Sequence, residues 1–135
     1  AAAITRSVPD LVRRQSVFVT TPGGAEVYRG PIELLVVSTT PWYGRGLRVN
    51  PGARPDAGTL TMRVYPGPLP SFAVEVARWL AHRQPSVPAT AGTEFLVRAS
   101  DGQPLILQAD GDAIGRRTEW SFRLRPAAVR LIGRW

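Results

Sequence analysis

The chain has 135 residues, 44% of them hydrophobic, which suits one domain able to remove about two-thirds of its unfolded surface from water. It has no cysteine and one histidine. That excludes a disulfide framework, thiolate catalysis and cysteine or histidine-rich metal sites, and leaves oxygen chemistry. The net charge of +7 comes from seventeen arginines, with no lysine, against ten acids. The arginines are scattered singly or in pairs such as Arg13-Arg14 and Arg116-Arg117. Arginine standing in for lysine on an ordinary surface is therefore favoured over an anion-binding patch, and a modest attraction to anionic membranes fits either reading. No apolar run is long enough to span a bilayer and no charged-then-apolar leader opens the sequence, so a cytoplasmic location is expected.

Thirteen glycines and thirteen prolines cut the chain into short segments, as in a β-rich domain. Residues 1–13 read as a linker or a truncated end, and residues 14–135 as one β domain. Ser16-Val17-Phe18-Val19-Thr20 is strand-like and stops at the turn cluster Pro22-Gly23-Gly24, with Val27 and Tyr28 opening a return strand. Residues 32–39 are uniformly apolar, which predicts a strand in the middle of a sheet. Residues 40–58 form a long loop of the kind that is functional or disordered in a compact domain. Leu60-Thr61-Met62-Arg63-Val64-Tyr65 alternates apolar with polar, predicting a strand with one wet face. Leu69, Phe72, Val76, Trp79 and Leu80 recur at helical spacing over residues 69–83, with Pro70 in the first turn and Pro85 beyond the end. Residues 93–100, 104–109, 118–125 and 127–132 read as four more strands, with Asp101-Gly102 as a tight turn between the first two. Six or seven strands and one helix predict a mainly β fold, a two-sheet antiparallel sandwich carrying one helix near residues 69–83.

Taken by spacing alone, Asp110-Gly111-Asp112 is hairpin-turn chemistry and Gly44-Arg45-Gly46 a surface turn. His82 reads as a helix-end residue meeting the last carbonyls. Three of the four tryptophans, Trp79, Trp120 and Trp135, read as packing residues. Trp42, inside the glycine loop, is the exception.

The order of these segments carries more than any one of them. Leu34-Leu35-Val36-Val37 is followed by Pro41-Trp42-Tyr43-Gly44-Arg45-Gly46-Leu47-Arg48-Val49, then by Ala53-Arg54-Pro55-Asp56-Ala57-Gly58-Thr59-Leu60. Further on come Leu107-Gln108-Ala109-Asp110-Gly111-Asp112 and a closing strand through Arg130-Leu131. Over residues 30–132 this resembles the carboxy-terminal β domain of the diacylglycerol kinase-like lipid kinases, relatives of sphingosine kinases and, more distantly, of NAD kinases. Nothing like their Gly-Gly-Asp-Gly-Thr nucleotide loop occurs in the chain.

The resemblance implies half of an ATP-dependent lipid kinase, one that phosphorylates a hydroxyl of diacylglycerol or a sphingoid-type lipid in phospholipid metabolism. Asp112 falls where the family usually has a glutamate, and would be the catalytic base, one methylene shorter. Trp42, Tyr43, Gly44, Gly46, Asp110 and Gly111 would line the substrate cleft, with the hydrophobic space between the sheets as the lipid seat. Arg45 replaces the middle glycine of the family's Tyr-Gly-Gly-Gly segment, and Thr39 its usual asparagine. In several relatives the segment matching residues 53–60 holds a structural magnesium ion. The carbonyl positions map to Arg54 and Thr59 and the carboxylate position to Ala57, so no metal is expected there, Asp56 being the nearest candidate ligand.

ATP and magnesium would belong to a full-length protein, held mainly by its amino-terminal nucleotide-binding domain, with neither expected in this chain. The implied partners are that domain and a lipid at a membrane surface, with no specific nucleic acid and a homodimer left open. The location would extend to the inner membrane face. The chain would not be catalytically complete alone. A non-enzymatic basic β-sandwich module binding anionic lipid or nucleic acid is the alternative, and a domain serving only oligomer contacts is a third reading.

Overall fold

A computed structural model describes residues 15–43 and 46–128. Strands β1 (Gln15–Thr20) and β2 (Glu26–Ile32) form an antiparallel hairpin turned by Pro22-Gly23-Gly24. Gly24 takes φ 80° and its N–H donates to the Thr21 carbonyl at 2.9 Å. The other edge of β1 pairs with β6 (Glu94–Ala99), and β6 pairs with β9 (Glu119–Arg123), giving a four-stranded sheet in the order β2-β1-β6-β9. A second sheet, ordered β3-β4-β5, joins β3 (Leu34–Ser38), β4 (Leu60–Tyr65) and β5 (Ala89–Gly92). Strands β7 (Leu105–Ala109) and β8 (Asp112–Arg117) make a separate hairpin. Helix α1 (Leu69–Leu80) is the one helix among the described residues. The mainly β, antiparallel, one-helix expectation holds.

Three of the connections between these elements are single residues. Glu33 separates β2 from β3, Thr93 separates β5 from β6, and Thr118 separates β8 from β9. Each corner is closed by a backbone bond from another strand's end: Glu33 N–H donates to Tyr65, Leu124 N–H to Thr93 and Ala99 N–H to Thr118. At Gly92, beside the second corner, a Cβ would come within 2.9 Å of the Phe95 ring, so only glycine fits.

Three layers result. Val17, Val19, Phe95 and Val97 of the first sheet pack against Leu60 and Met62 of the second, with Leu105 closing the same cluster. On the far face of the second sheet, Tyr65 meets Trp79, Phe72 and Val76 of the helix and Val49 of the long loop. The Tyr65 and Trp79 rings stand edge to face at 5.0 Å, worth about 0.5–1.5 kcal/mol beyond their buried area. Burial pushes the Tyr65 phenol up to about 12, with the nearby Arg63 charge opposing, so it stays protonated and donates to the Val49 carbonyl at 2.9 Å.

Several sequence expectations change here. Strand β4 has no wet face: Leu60, Met62 and Val64 point into the first cluster, while Thr61, Arg63 and Tyr65 are covered by the helix and loop layer. Strand β3 is an edge of its sheet rather than its middle, and it is apolar throughout because Leu35 and Val37 serve one cluster and Leu34 and Val36 the other. Strands β5 and β8 were not expected, and they bring the described strands to nine. The runs around Asp101-Gly102 do not pair with each other, since β6 takes β1 and β9 while β7 takes β8. Residues 127–128 lie in a turn, and the rest of the 127–132 expectation, like the 1–13 linker, falls outside the described residues. The space between the sheets is filled by core side chains, so it is not an open lipid seat.

The polar residues of β4 are held by Asn50, which is 0% exposed. Its Nδ2 donates to Ser38 Oγ at 2.9 Å and to the Thr61 carbonyl at 2.8 Å, and its Oδ1 accepts from Arg63 Nε at 3.1 Å. Its backbone N–H donates to Pro41 and its carbonyl accepts from Ala53. Arg63 Nη1 donates to the Val87 carbonyl. One side chain thus ties the long loop to β3 and β4 and solvates a buried guanidinium.

The helix ends sooner than its periodicity suggests. His82 has φ 54°, its N–H donates to the Trp79 carbonyl, and Arg83 N–H donates back to Arg78. This is a Schellman cap with a histidine where glycine is usual. Residues 81–83 are cap rather than helix, and Leu80 points to solvent instead of the sheet.

Asn50→Ala is expected to cost about 2–4 kcal/mol in denaturant unfolding, because it strands a buried charged donor. A loss below about 1 kcal/mol would show that Asn50 does not hold the layer together. His82→Gly is expected to raise stability by roughly 0.5–1 kcal/mol, read as a higher thermal midpoint, by relieving the left-handed strain.

Candidate functional site

The long loop is braced across its glycine segment. Tyr43 N–H donates to the Leu47 carbonyl at 2.8 Å and Leu47 N–H returns the bond at 3.0 Å. Leu47 and Val49 then anchor the loop in the cluster around Tyr65 and Trp79. Gly46 takes φ 102°, a conformation that favours glycine, while Gly44 and Arg45 lie outside the described residues. Trp42 is 52% exposed, with the Arg48 guanidinium 5.9 Å from its ring centre. Arg48 Nε is buried with no hydrogen-bond partner among the described residues.

The second part of the site is the β7–β8 hairpin. Asp110 and Gly111 have φ 52° and 91°, positive at both central positions, as a two-residue type I′ turn requires. Ala109 and Asp112 face each other across it, so Asp112 is the first residue of β8 and its backbone is fixed by the ladder. Asp110, Gly111 and Asp112 are all exposed. Ile114 is an extra residue on β8, between the pairs Leu107–Gly115 and Gln108–Ala113, and such a bulge twists the tip further.

One contact brings the two parts together: Tyr43 Oη donates to Gln108 Oε1 at 3.0 Å. The glycine loop and the Asp110-Gly111-Asp112 turn therefore share one surface, with Trp42 and Arg48 on the loop side. Gln108, Arg48 and Asn50 were not singled out from the sequence. Gln108 had no signal beyond its place before the Asp-Gly pair. Asn50, between Val49 and Pro51, looks like any turn residue.

The loop at 54–59 is not suited to a hard cation. Both Asp56 oxygens accept from Arg54, from Nε at 3.0 Å and Nη2 at 2.8 Å, and that guanidinium holds the carboxyl below its ordinary range. The Arg54 carbonyl already accepts from Ala57 N–H, and Ala57 offers no side-chain donor atom. Magnesium needs near-octahedral oxygen ligands, so these residues do not fit it. The helix N-terminus is equally unsuited to phosphate. Pro70 lacks an N–H, and those of Ser71 and Phe72 both donate to the Pro68 carbonyl. His82 is a cap residue, Trp79 is core, and Trp120 Nε1 donates to the Leu105 carbonyl at 3.1 Å. Trp135 lies outside the described residues.

No family model matches the chain, and no curated protein matches it in sequence. Solved structures do match it. Two structures of a "putative diacylglycerol kinase" from Bacillus anthracis str. Sterne superpose with TM-scores of 0.63 and 0.60, at 16% and 15% identity. Each match covers 87% of this chain, but 41% and 42% of the other. At that identity the likeness is one of fold, and the chain spans about two-fifths of the length of those kinases.

Tyr43→Phe removes an exposed hydrogen bond and should change stability by no more than about 1 kcal/mol. Its signature is local. Amides of residues 42–43, 46–47 and 108–112 should exchange faster together, and unchanged exchange on either side of the contact would show that it does not couple them.

Proposed function

We propose that this chain belongs to the diacylglycerol kinase-like lipid kinases as their lipid-facing β domain, and acts with a nucleotide-binding domain to phosphorylate a lipid hydroxyl. The observation that carries the reading is the Tyr43–Gln108 contact, which puts the glycine loop and the Asp110-Gly111-Asp112 turn on one surface. The fold likeness to two-fifths of a diacylglycerol kinase-type chain supports it.

In this reading Asp112 is the general base. As the lipid oxygen bonds to the γ-phosphorus and the bond to the departing ADP oxygen breaks, the carboxylate takes the hydroxyl proton. A carboxylate does this only within about 3 Å of the attacking oxygen, at a rim open to the partner domain. The start of β8 offers such a rim. The type I′ turn fixes the Asp112 backbone, and Tyr43 and Gln108 keep the hairpin registered against the loop. ATP supplies the phosphoryl group and belongs, with its metal, to the other domain. The chain is inert without it.

A nucleic-acid module is disfavoured by the first sheet, where Arg29, Arg98 and Arg123 are paired with Glu26, Glu119 and Glu94. Those positive charges are locally neutralised rather than gathered into a phosphate-tracking stripe.

The test uses the longer protein that carries a nucleotide-binding domain. Asp112→Asn should lower lipid phosphorylation on the order of a hundredfold. Its effect on stability should stay under about 0.5 kcal/mol, since the residue is exposed. Asp112→Glu should keep or raise activity. An asparagine variant as fast as the parent would reduce Asp112 to a turn residue and remove the reading's chemical centre.

A further inference from the structure

Helix α1 has an outer face that none of the described residues covers. Leu69, Pro70, Ala73, Val74, Ala77 and Leu80 are all exposed, and at about 100° per residue they form one continuous apolar stripe. Leu69, Val74 and Leu80 are 53%, 60% and 65% exposed. The opposite face, through Phe72, Val76 and Trp79, already fills the core. The helix is thus apolar on both sides, which packing against one sheet does not require.

The charges around the stripe select what can cover it. Glu75 is the sole acidic residue between Asp56 and Glu94. It is buried, its oxygens accepting from the Ser86 N–H and hydroxyl. Arg78 borders the stripe, half-buried, with Nε donating to the Gln84 carbonyl at 2.9 Å. That Nε lies 4.0 Å from a Glu75 carboxylate oxygen, so Arg78 offers only part of its charge outward. Arg83 closes the cap, exposed and without an ion pair among the described residues. The surface of this helix and its cap therefore offers apolar side chains and cations, with no exposed carboxylate.

We infer that this face docks on an anionic lipid bilayer, the helix lying flat with Leu69, Val74 and Leu80 in the acyl boundary and Arg78 and Arg83 among the headgroups. A second copy fits less well. The helix has 12 residues. It is about 18 Å long and about 10 Å across, so its face offers on the order of 200 Å², against about 800 Å² per partner in a stable interface. Self-pairing would also bring the arginines to a face that has no carboxylate for them. The inference deepens the lipid-kinase reading by naming the membrane-contacting surface, but binding is measured without phosphoryl transfer, so either can fail alone.

The test is flotation of the 135-residue chain with vesicles of phosphatidylcholine, with and without phosphatidylglycerol. The chain should float with the anionic vesicles, bind neutral ones at least tenfold less, and detach as salt is raised. Val74→Asp with Leu80→Asp should lower binding to anionic vesicles at least tenfold while leaving the circular dichroism spectrum and thermal midpoint unchanged. If the aspartates perturb folding, Val74→Ser with Leu80→Gln serves in their place, and Arg83→Gln should weaken binding separately. Absence of flotation, or equal flotation of the double variant, overturns the inference. So does a dimer in light scattering that the double variant dissolves, which would give the face to a second copy.

Discussion

The described fold depends on a buried guanidinium being given neutral oxygens to bond. Arg63 sits in the central strand of the second sheet, under the helix layer, where an unpaired cation would cost several kcal/mol. Asn50 and the Val87 carbonyl solvate it from two chain segments that are otherwise remote from each other. By doing so they fix both ends of the third layer: the long loop arrives through Asn50, and the segment after the helix arrives through Val87. The glycine loop, the helix and the middle sheet hold their relative places because a polar residue was put where a leucine would have packed more simply. Such a network also narrows the alternatives, since a register shift of one residue would leave Arg63 facing the apolar cluster on the other side.

What was legible in the sequence was local. Pro22-Gly23-Gly24 marked the first hairpin, the Leu69-to-Trp79 period marked the helix, and Asp110-Gly111 marked a primed turn, each encoded within a few residues. The fold class followed from these together with the density of turn residues. What failed was anything decided at a distance. Arg63 reads as a solvent-facing residue because alternation cannot tell water from a buried network thirteen residues away in sequence. Strand β5 is Ala-Thr-Ala-Gly, too short and too small to show a period, and it exists because β4 offers it an edge. Of the candidate site, the positions of Trp42, Tyr43 and the Asp110-Gly111-Asp112 turn could be read from motif order. Their meeting through Gln108 could not, since a lone glutamine in a strand carries no sign of its partner.

The proposed membrane face on the helix and the proposed hairpin rim would make different demands on a lipid. Among the described residues, the space between the sheets is occupied by buried side chains such as Val17, Val19 and Phe95. On the proposed lipid-kinase reading, the tails of the lipid would stay in the bilayer and only its headgroup would reach the loop and hairpin. On that reading membrane contact would take part in substrate positioning as well as in location.

The strand order of the first sheet has a consequence for how the chain comes to exist. Strand β1 pairs with β2 at once, but its other edge waits for β6, and β6 in turn waits for β9, so Val17 meets Ala99 only after most of the chain has been made. During synthesis the β1–β2 hairpin therefore presents a β-branched, apolar edge to the cell before its partners emerge from the ribosome. Long-range pairing of this kind slows folding and lengthens the exposure. The pairing of that hairpin is irregular only between Val19 and Thr20. Pro31 lies in β2, an edge strand of the sheet, where proline is one of the residues that blunt an exposed edge.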